Sequence, residues 1–397
     1  MGKRNNQAIK LFGVEYLLNQ VKIIENEIQG TLTGIDIEHV HKMRVASRRL
    51  RNGFSLFEDS LPAKKVPKWQ DEIRKITNSL GRGRDLDIQI ERINQILQKP
   101  LDESFKQGIE RLLLRLTQKR KKAQNKIEKT FDKLTAEDAL GKIARRLEKI
   151  IEGAGEATHP AQSLYELAKH SIHEQLEEFL NHESFIWDEA NIKELHAMRI
   201  SGKHLRYTLE TFLPVYNQSL LPHFRIMKDI QEMLGEIHDL DVWAEWLPSF
   251  IEQEKNRIDE FYGNTHALEP LLPGLQFLIE SFKVLRFEKY QSFIMTWKSL
   301  AHEKAWEHLE EITDSFITME KSADSLSAAP QPGMSQKNSF DQEANNKNSG
   351  SDDNEFFQID LTAAEIDPEH KDIIEDQSSD WTKELRNNIH DQDSTDR

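Results

Sequence analysis

His41-Lys42-Met43-Arg44-Val45-Ala46-Ser47-Arg48-Arg49-Leu50-Arg51 is answered, 155 residues later, by His196-Ala197-Met198-Arg199-Ile200-Ser201-Gly202-Lys203-His204-Leu205-Arg206. His, Met, Arg, Leu and Arg recur at the same places, and Arg48 is matched by Lys203. Apolar residues in both stretches stand three and four apart, which is the period of an amphipathic helix. A second pair follows in the same order: Leu80-Gly81-Arg82-Gly83-Arg84-Asp85-Leu86-Asp87 against Leu234-Gly235-Glu236-Ile237-His238-Asp239-Leu240-Asp241. Two ordered matches at nearly one offset indicate two homologous halves, about 1–157 and 158–318.

The same period runs through the rest of residues 1–318, with few β-branched runs, so the fold class is all-α. Breaks are expected at Leu61-Pro62, Lys99-Pro100, His159-Pro160, Leu213-Pro214 and from Pro270 to Gly274. Gly81 and Gly235 read as helix C-terminal caps and Asp85 and Asp239 as N-caps of the next helix, which gives separate helices over about 66–80, 86–98, 220–235 and 240–262. A lesser reading keeps a functional carboxylate here, as a metal ligand or as a partner that orients an arginine.

The 397 residues carry a formal charge of −15, which argues superficially against an anionic ligand. Most of that charge is in residues 319–397, where 7 Lys and Arg face 19 Asp and Glu; residues 1–318 are left at −3. The tail from 319 is expected to be disordered, because Ser325 to Asn354 has almost no large apolar residue to offset ordering entropy. Its short apolar patches, 356–361 and 381–389, are candidates for a partner-binding element, and its acidity could compete for a basic site in the same chain. Within the body the bias reverses: residues 38–92 hold 13 basic against 8 acidic side chains, and 115–150 hold 12 against 5. Absence of cysteine excludes disulfides and thiolate metal sites. With no secretory signal and no spanning apolar run, the expected location is cytoplasmic.

At about 100° per residue, with His41 at zero, Arg44, Arg48 and Arg51 fall near 300°, 340° and 280°, beside an apolar strip of Met43, Ala46, Leu50 and Phe57. His196, Arg199, Lys203 and Arg206 repeat the basic strip, and Met198, Ser201, Leu205 and Phe212 repeat the packing strip. A solvated basic face is the ordinary reading of one such helix. Two matched strips that face each other across a pseudo-two-fold make a concave basic channel, where guanidinium forks grip phosphate oxygens. Arg74, Arg82 and Arg84 in the first half, with Lys228 and His238 in the second, are candidates to widen it.

These residues resemble the paired signature of the CHAD family, the conserved-histidine α-helical domain. The first-half His-x-x-Arg-Val-x-x-Arg-Arg-Leu-Arg is His41 to Arg51, Arg49 included; the second-half Met-Arg-x-x-x-Lys-x-Leu-Arg-Tyr-x-x-Glu is Met198 to Glu210, and spans His204 and Tyr207. Leu-Gly-x-x-Arg-Asp-Leu-Asp fits 80–87, while its second copy has His238 in place of Arg84. The resemblance covers essentially 1–318. It implies two helical bundles around a basic cavity that binds inorganic polyphosphate, without catalysis and without a cofactor, in a family whose members are found on polyphosphate granules.

Two other classes compete. Fifteen histidines invite metal chelation, but His39/His41 point apart on a helix, His170/His173 have only Glu166 and Glu177 nearby, and the arginines around His41 and His196 oppose a cation. Nucleic-acid binding asks for aromatics interleaved with the basic residues, and only Tyr207 qualifies. Catalysis has no support: there is no P-loop, Gly-x-Ser-x-Gly or His-Glu-x-x-His, and Glu252-Gln253-Glu254-Lys255 lacks the spacing of a triphosphatase Glu-x-Glu-x-Lys strand.

Overall fold

The computed structural model describes residues 5–34, 36–153 and 162–327. Among them are ten α-helices and no strand: α1 Asn5–Thr33, α2 Ile37–Leu56, α3 Val66–Leu97, α4 Glu103–Ala136, α5 Ala139–Glu152, α6 Gln162–Leu180, α7 Ile192–Phe212, α8 Leu221–Tyr262, α9 Leu272–His302 and α10 Ala305–Ser327. Caps fix several starts: the Asp36 carboxylate accepts from the Glu38 N–H at 2.8 Å, and Asp102 accepts from the Ser104 N–H at 2.9 Å. Pro67, Pro222 and Pro273 occupy first turns, where no N–H bond is lost. α10 carries residues 319–327 of the expected disordered tail as helix; the rest of that tail from 328, with both its apolar patches, and the break at His159-Pro160 lie outside the described residues.

Three apolar cores organise the helices. One, with Leu17, Met43, Leu50, Phe54, Ile73 and Phe131, joins α1, α2 and α5 to the first part of α3 and the last part of α4. A second, with Ile172, Met198, Leu205, Phe212, Met227 and Trp297, joins α6, α7 and α10 to the first part of α8 and the last part of α9. The third belongs to both halves: Leu86 and Ile93 of α3, Ile109 and Leu116 of α4, Leu240 and Trp243 of α8, and Leu275 and Leu278 of α9. Each of these four long helices therefore serves two cores.

That sharing overturns the expected breaks at Gly81 and Gly235. Neither glycine caps a helix: α3 runs unbroken past Gly81 and α8 past Gly235, so Asp85 and Asp239 are mid-helix residues and not N-caps. The local signal of glycine followed by aspartate loses to continuous burial on either side, Leu80 and Leu86 in α3 and Leu234 and Leu240 in α8. Beside the shared core, Glu254 of α8 is fully buried and accepts from Arg111 and Arg115 of α4, both at 2.8 Å, and also pairs with Arg257. It is thus a structural carboxylate. No described helix is long and apolar enough to cross a membrane.

Candidate anion-binding site

The two signature helices lie together. Phe57, just past α2, packs edge-on against Phe212 at the end of α7 with centroids 6.2 Å apart, and Phe12 of α1 sits against both rings at 5.9 and 6.1 Å. Beside this joint Arg49 and Glu210 form a buried two-pronged ion pair; the Arg49 Nε–H donates to Oε2 at 3.0 Å, and the residues are 8% and 9% exposed. Arg49 falls near 80° on the α2 wheel, off the basic strip, and Glu210 claims its fork. As a phosphate ligand it is a correction: this arginine ties the two helices together.

Arg44 and Arg48 of α2 meet Arg199 and Lys203 of α7 closely enough that neighbouring cations depress the basicity of Arg44, Arg199 and Lys203. Burial first, then the neighbouring cations, pull the Arg44 and Arg199 guanidiniums down. The same causes bring the Lys203 ammonium to about 7. Among the described residues, the carboxylates that oppose them are Asp85 and Asp239. Asp85 accepts from Arg44 Nη2 at 3.4 Å, and Asp239 faces Arg199, Arg92 and Lys203, its own carboxyl pushed up by burial. The Nε atoms of Arg44 and Arg199 are both buried without a hydrogen-bond partner, as is one terminal nitrogen of Arg84 and of Arg92. The two guanidiniums lie over Gly81 and Gly235, where a Cβ would stand 3.8 Å from the Nε of Arg44 or Arg199, an ordinary contact distance.

The remaining candidates divide. Arg51 continues the strip toward Arg74, whose charge together with that of Arg48 and with burial lowers it. Arg74 itself is exposed, 3.5 Å from Asp71. His41 is partly buried one turn before Arg44, and His204 stands near Glu178, Arg51 and Lys203. His196 and His238 bring their Nδ1 atoms within 3.1 Å; burial and the adjacent Arg199 and Lys203 lower both, His238 to about 4. Arg206 is engaged elsewhere, donating to Gln231 Oε1 at 2.9 Å and stacking on Tyr207 at 4.7 Å. Tyr207 is 5% exposed and serves as a platform from within. Arg82 turns to the α4 side, where its charge reaches Lys119, and Lys228 is exposed on α8 without an ion pair among the described residues.

The second aspartate of each motif, expected in the first turn of a following helix, stands mid-helix and takes the lesser role expected of these carboxylates, as partner to an arginine. Asp87 accepts from Arg120 of α4 and Asp241 from Arg286 of α9, each at 2.6 Å, so matched carboxylates tie matched helix pairs. Arg92 was missed because it lies beyond the repeated stretch. Among the described residues no three His, Cys, Asp or Glu side chains group as metal ligands; His39 is bound to Glu27 and His173 to Thr313.

The chain is similar in fold to a crystal structure of the CHAD domain from the plant Ricinus communis, with 19% identity, TM-score 0.51, and 72% of this chain and 91% of that one covered. It is also similar to PptA from Streptomyces chartreusis, with 14% identity, TM-score 0.51, and 73% and 99% covered. No curated protein sequence matches it. The CHAD domain family model matches residues 15–248, a span longer than half of the chain that contains both signature helices, and on that ground the chain belongs to the CHAD domain family.

Proposed function

We propose that the converging basic faces of α2 and α7 form a cleft that binds inorganic polyphosphate without catalysing its turnover. One observation carries the reading: among the described residues, Arg44, Arg48, Arg199 and Lys203 converge against two carboxylates, Asp85 and Asp239, and two of the guanidinium Nε groups are buried with no hydrogen-bond partner. Unliganded, these cations repel and are partly desolvated; a polyanion supplies both the missing charge and the missing acceptors. Arg51 would receive the chain at one end, and His196 and His238 would donate hydrogen bonds from the other side of Lys203. Membership of the CHAD family supports the same ligand. The Arg49–Glu210 pair holds the two helices at the separation the ligand needs.

The buried position of Tyr207 favours phosphate over nucleic acid, since it offers no open face on which a base can stack. Reversing Arg48 and Lys203 together to Glu removes at least two charge-assisted bonds of about 1.5 kcal/mol each, and so should weaken polyphosphate binding by about 100-fold or more at constant helicity. Titration with polyphosphate of defined length at physiological salt checks this, and unchanged affinity would remove the site. In competition, polyphosphate should displace RNA at far lower phosphate concentration; the reverse order would reassign the ligand. Location at polyphosphate granules would follow from such binding and is tested by fluorescence microscopy of the tagged chain and its double variant.

A further inference from the structure

The geometry points to a second anion site on the outer face of α3 and α4, a lysine-lined groove that takes up the continuation of a long polyphosphate chain leaving the cleft on the first-half side only. The inference rests on the proposed ligand of the cleft and concerns where the rest of that ligand goes.

The path is continuous. Arg51, at the end of the cleft, stands close enough to Arg74 of α3 to feel its charge. Arg74 lines an open cavity of about 580 Å³ together with Lys64, Lys68, Lys75 and Asn78. A second cavity, of about 360 Å³, shares Glu72, Lys75 and Asn78 with the first and is closed on its far side by Lys126, Lys129 and Lys133 of α4. Acidic groups on this path are Asp71, 3.5 Å from Arg74, Glu72, which accepts from Lys75 at 3.0 Å, and Glu137, 3.9 Å from Lys133 at the far end. The second cavity therefore holds four lysines against one carboxylate.

Helical spacing places those lysines in line. Lys119, Lys122, Lys126, Lys129 and Lys133 fall within about 80° on the α4 wheel and span roughly 21 Å of its axis. Lys122, Lys126 and Lys129 make no ion pair among the described residues. A face of this kind repels itself unless something anionic lies along it. No aromatic residue lines either cavity, so a polymer of phosphate alone fits better than one with bases to stack. Lysine also suits a path rather than a fixed pocket: it acts as a point charge on a flexible stem and imposes no bidentate register.

Among the described residues, α9 of the second half carries no such row of unpaired lysines. There Lys289 is paired with Glu236 at 2.8 Å and Lys283 with Glu280 at 2.8 Å, and the outer face of α9 instead exposes Val284, Phe287 and Met295. The chain of phosphates thus has one way out.

The test compares tripolyphosphate with long-chain polyphosphate on the full chain carrying Lys126→Glu, Lys129→Glu and Lys133→Glu. Long-chain affinity should drop at least tenfold and its dependence on log salt should flatten by about two to three units, because each phosphate contact contributes about 0.7–0.9; tripolyphosphate affinity should stay within twofold. The same lysines changed to Gln give a milder loss of the same pattern and guard against misfolding of the charge-reversed chain, which circular dichroism checks. Unchanged long-chain affinity and salt slope overturn the groove. An equal loss from Lys283→Glu with Lys289→Glu overturns its one-sidedness, and RNA bound more tightly than long-chain polyphosphate through the same lysines overturns the ligand class. If Arg48→Glu with Lys203→Glu leaves tripolyphosphate binding intact, the cleft fails while the groove result stands by itself.

Discussion

Lys203 concentrates the chemistry of the cleft in one side chain. Its ammonium is lowered from the usual 10.5 to about 7 by burial and by Arg199, Arg48 and Arg44. The unfolded chain keeps that proton to about 10.5 while the unliganded fold releases it near 7, so this group adds stability as pH rises from about 7 to 10.5. A bound polyanion reverses the balance and recharges the amine. Binding at pH 8 should therefore take up close to one proton through Lys203, and the uptake should vanish in Lys203→Met; calorimetry in buffers of different ionisation enthalpy measures it, and uptake unaltered by Lys203→Met would refute it. The basic strip was readable from the spacing of Arg44, Arg48 and Arg51 alone, because helical angle depends on residue number only. Arg49 was not, despite sitting in the same run, because its buried partner Glu210 is 161 residues away. Arg206 and Tyr207 escaped for the same reason: what captures the guanidinium is Gln231 of another helix.

At the scale of the helix, Gly81 and Gly235 show how a local signal can mislead. Glycine followed by aspartate four residues on looks like the end of one helix and the start of the next, yet α3 and α8 continue because apolar residues on both sides are buried. Mid-helix glycine costs about 1 kcal/mol relative to alanine, and a Cβ at 3.8 Å from the arginine Nε meets it at ordinary contact distance. Gly81→Ala and Gly235→Ala should each raise stability by about 0.5–1 kcal/mol in urea unfolding. Gly81→Leu should instead displace Arg44 and weaken polyphosphate binding, so a destabilised alanine variant with displaced Arg44 would show that the contact is tighter than ordinary. Helix existence was legible because the 3.6-residue period extends over whole segments; helix continuity was not, since it is decided by which core receives each end.

For the whole molecule the decisive contact is where α4 crosses the start of α9. A Cβ on Gly108 would overlap the Leu271 carbonyl oxygen, and one on Gly274 would overlap that of Phe105, so the two backbones touch across a pair of glycines. Phe105 stacks on Phe277 beside them at 4.6 Å. Gly108→Ala, unlike Gly81→Ala, should destabilise the fold by about 1–3 kcal/mol, because the obstacle is backbone that cannot rotate away; an unchanged or higher urea midpoint would contradict that crossing. The two signature helices, α2 and α7, were legible as ordered matches in the sequence. The third core, to which α3, α4, α8 and α9 all contribute, was not, since apart from Leu86 and Leu240 its residues lie outside the repeated motifs.

That core also sets what can be cut from the protein. The sequence invites separation near residue 157, but a fragment ending there would present Leu86, Ile93, Ile109, Leu112 and Leu116 to water, all of them buried in the intact chain. Such a surface is an aggregation hazard rather than a stable edge. The boundary that suits excision therefore follows the third core and not the repeat, and a piece cut for study has to keep α3, α4, α8 and α9 together.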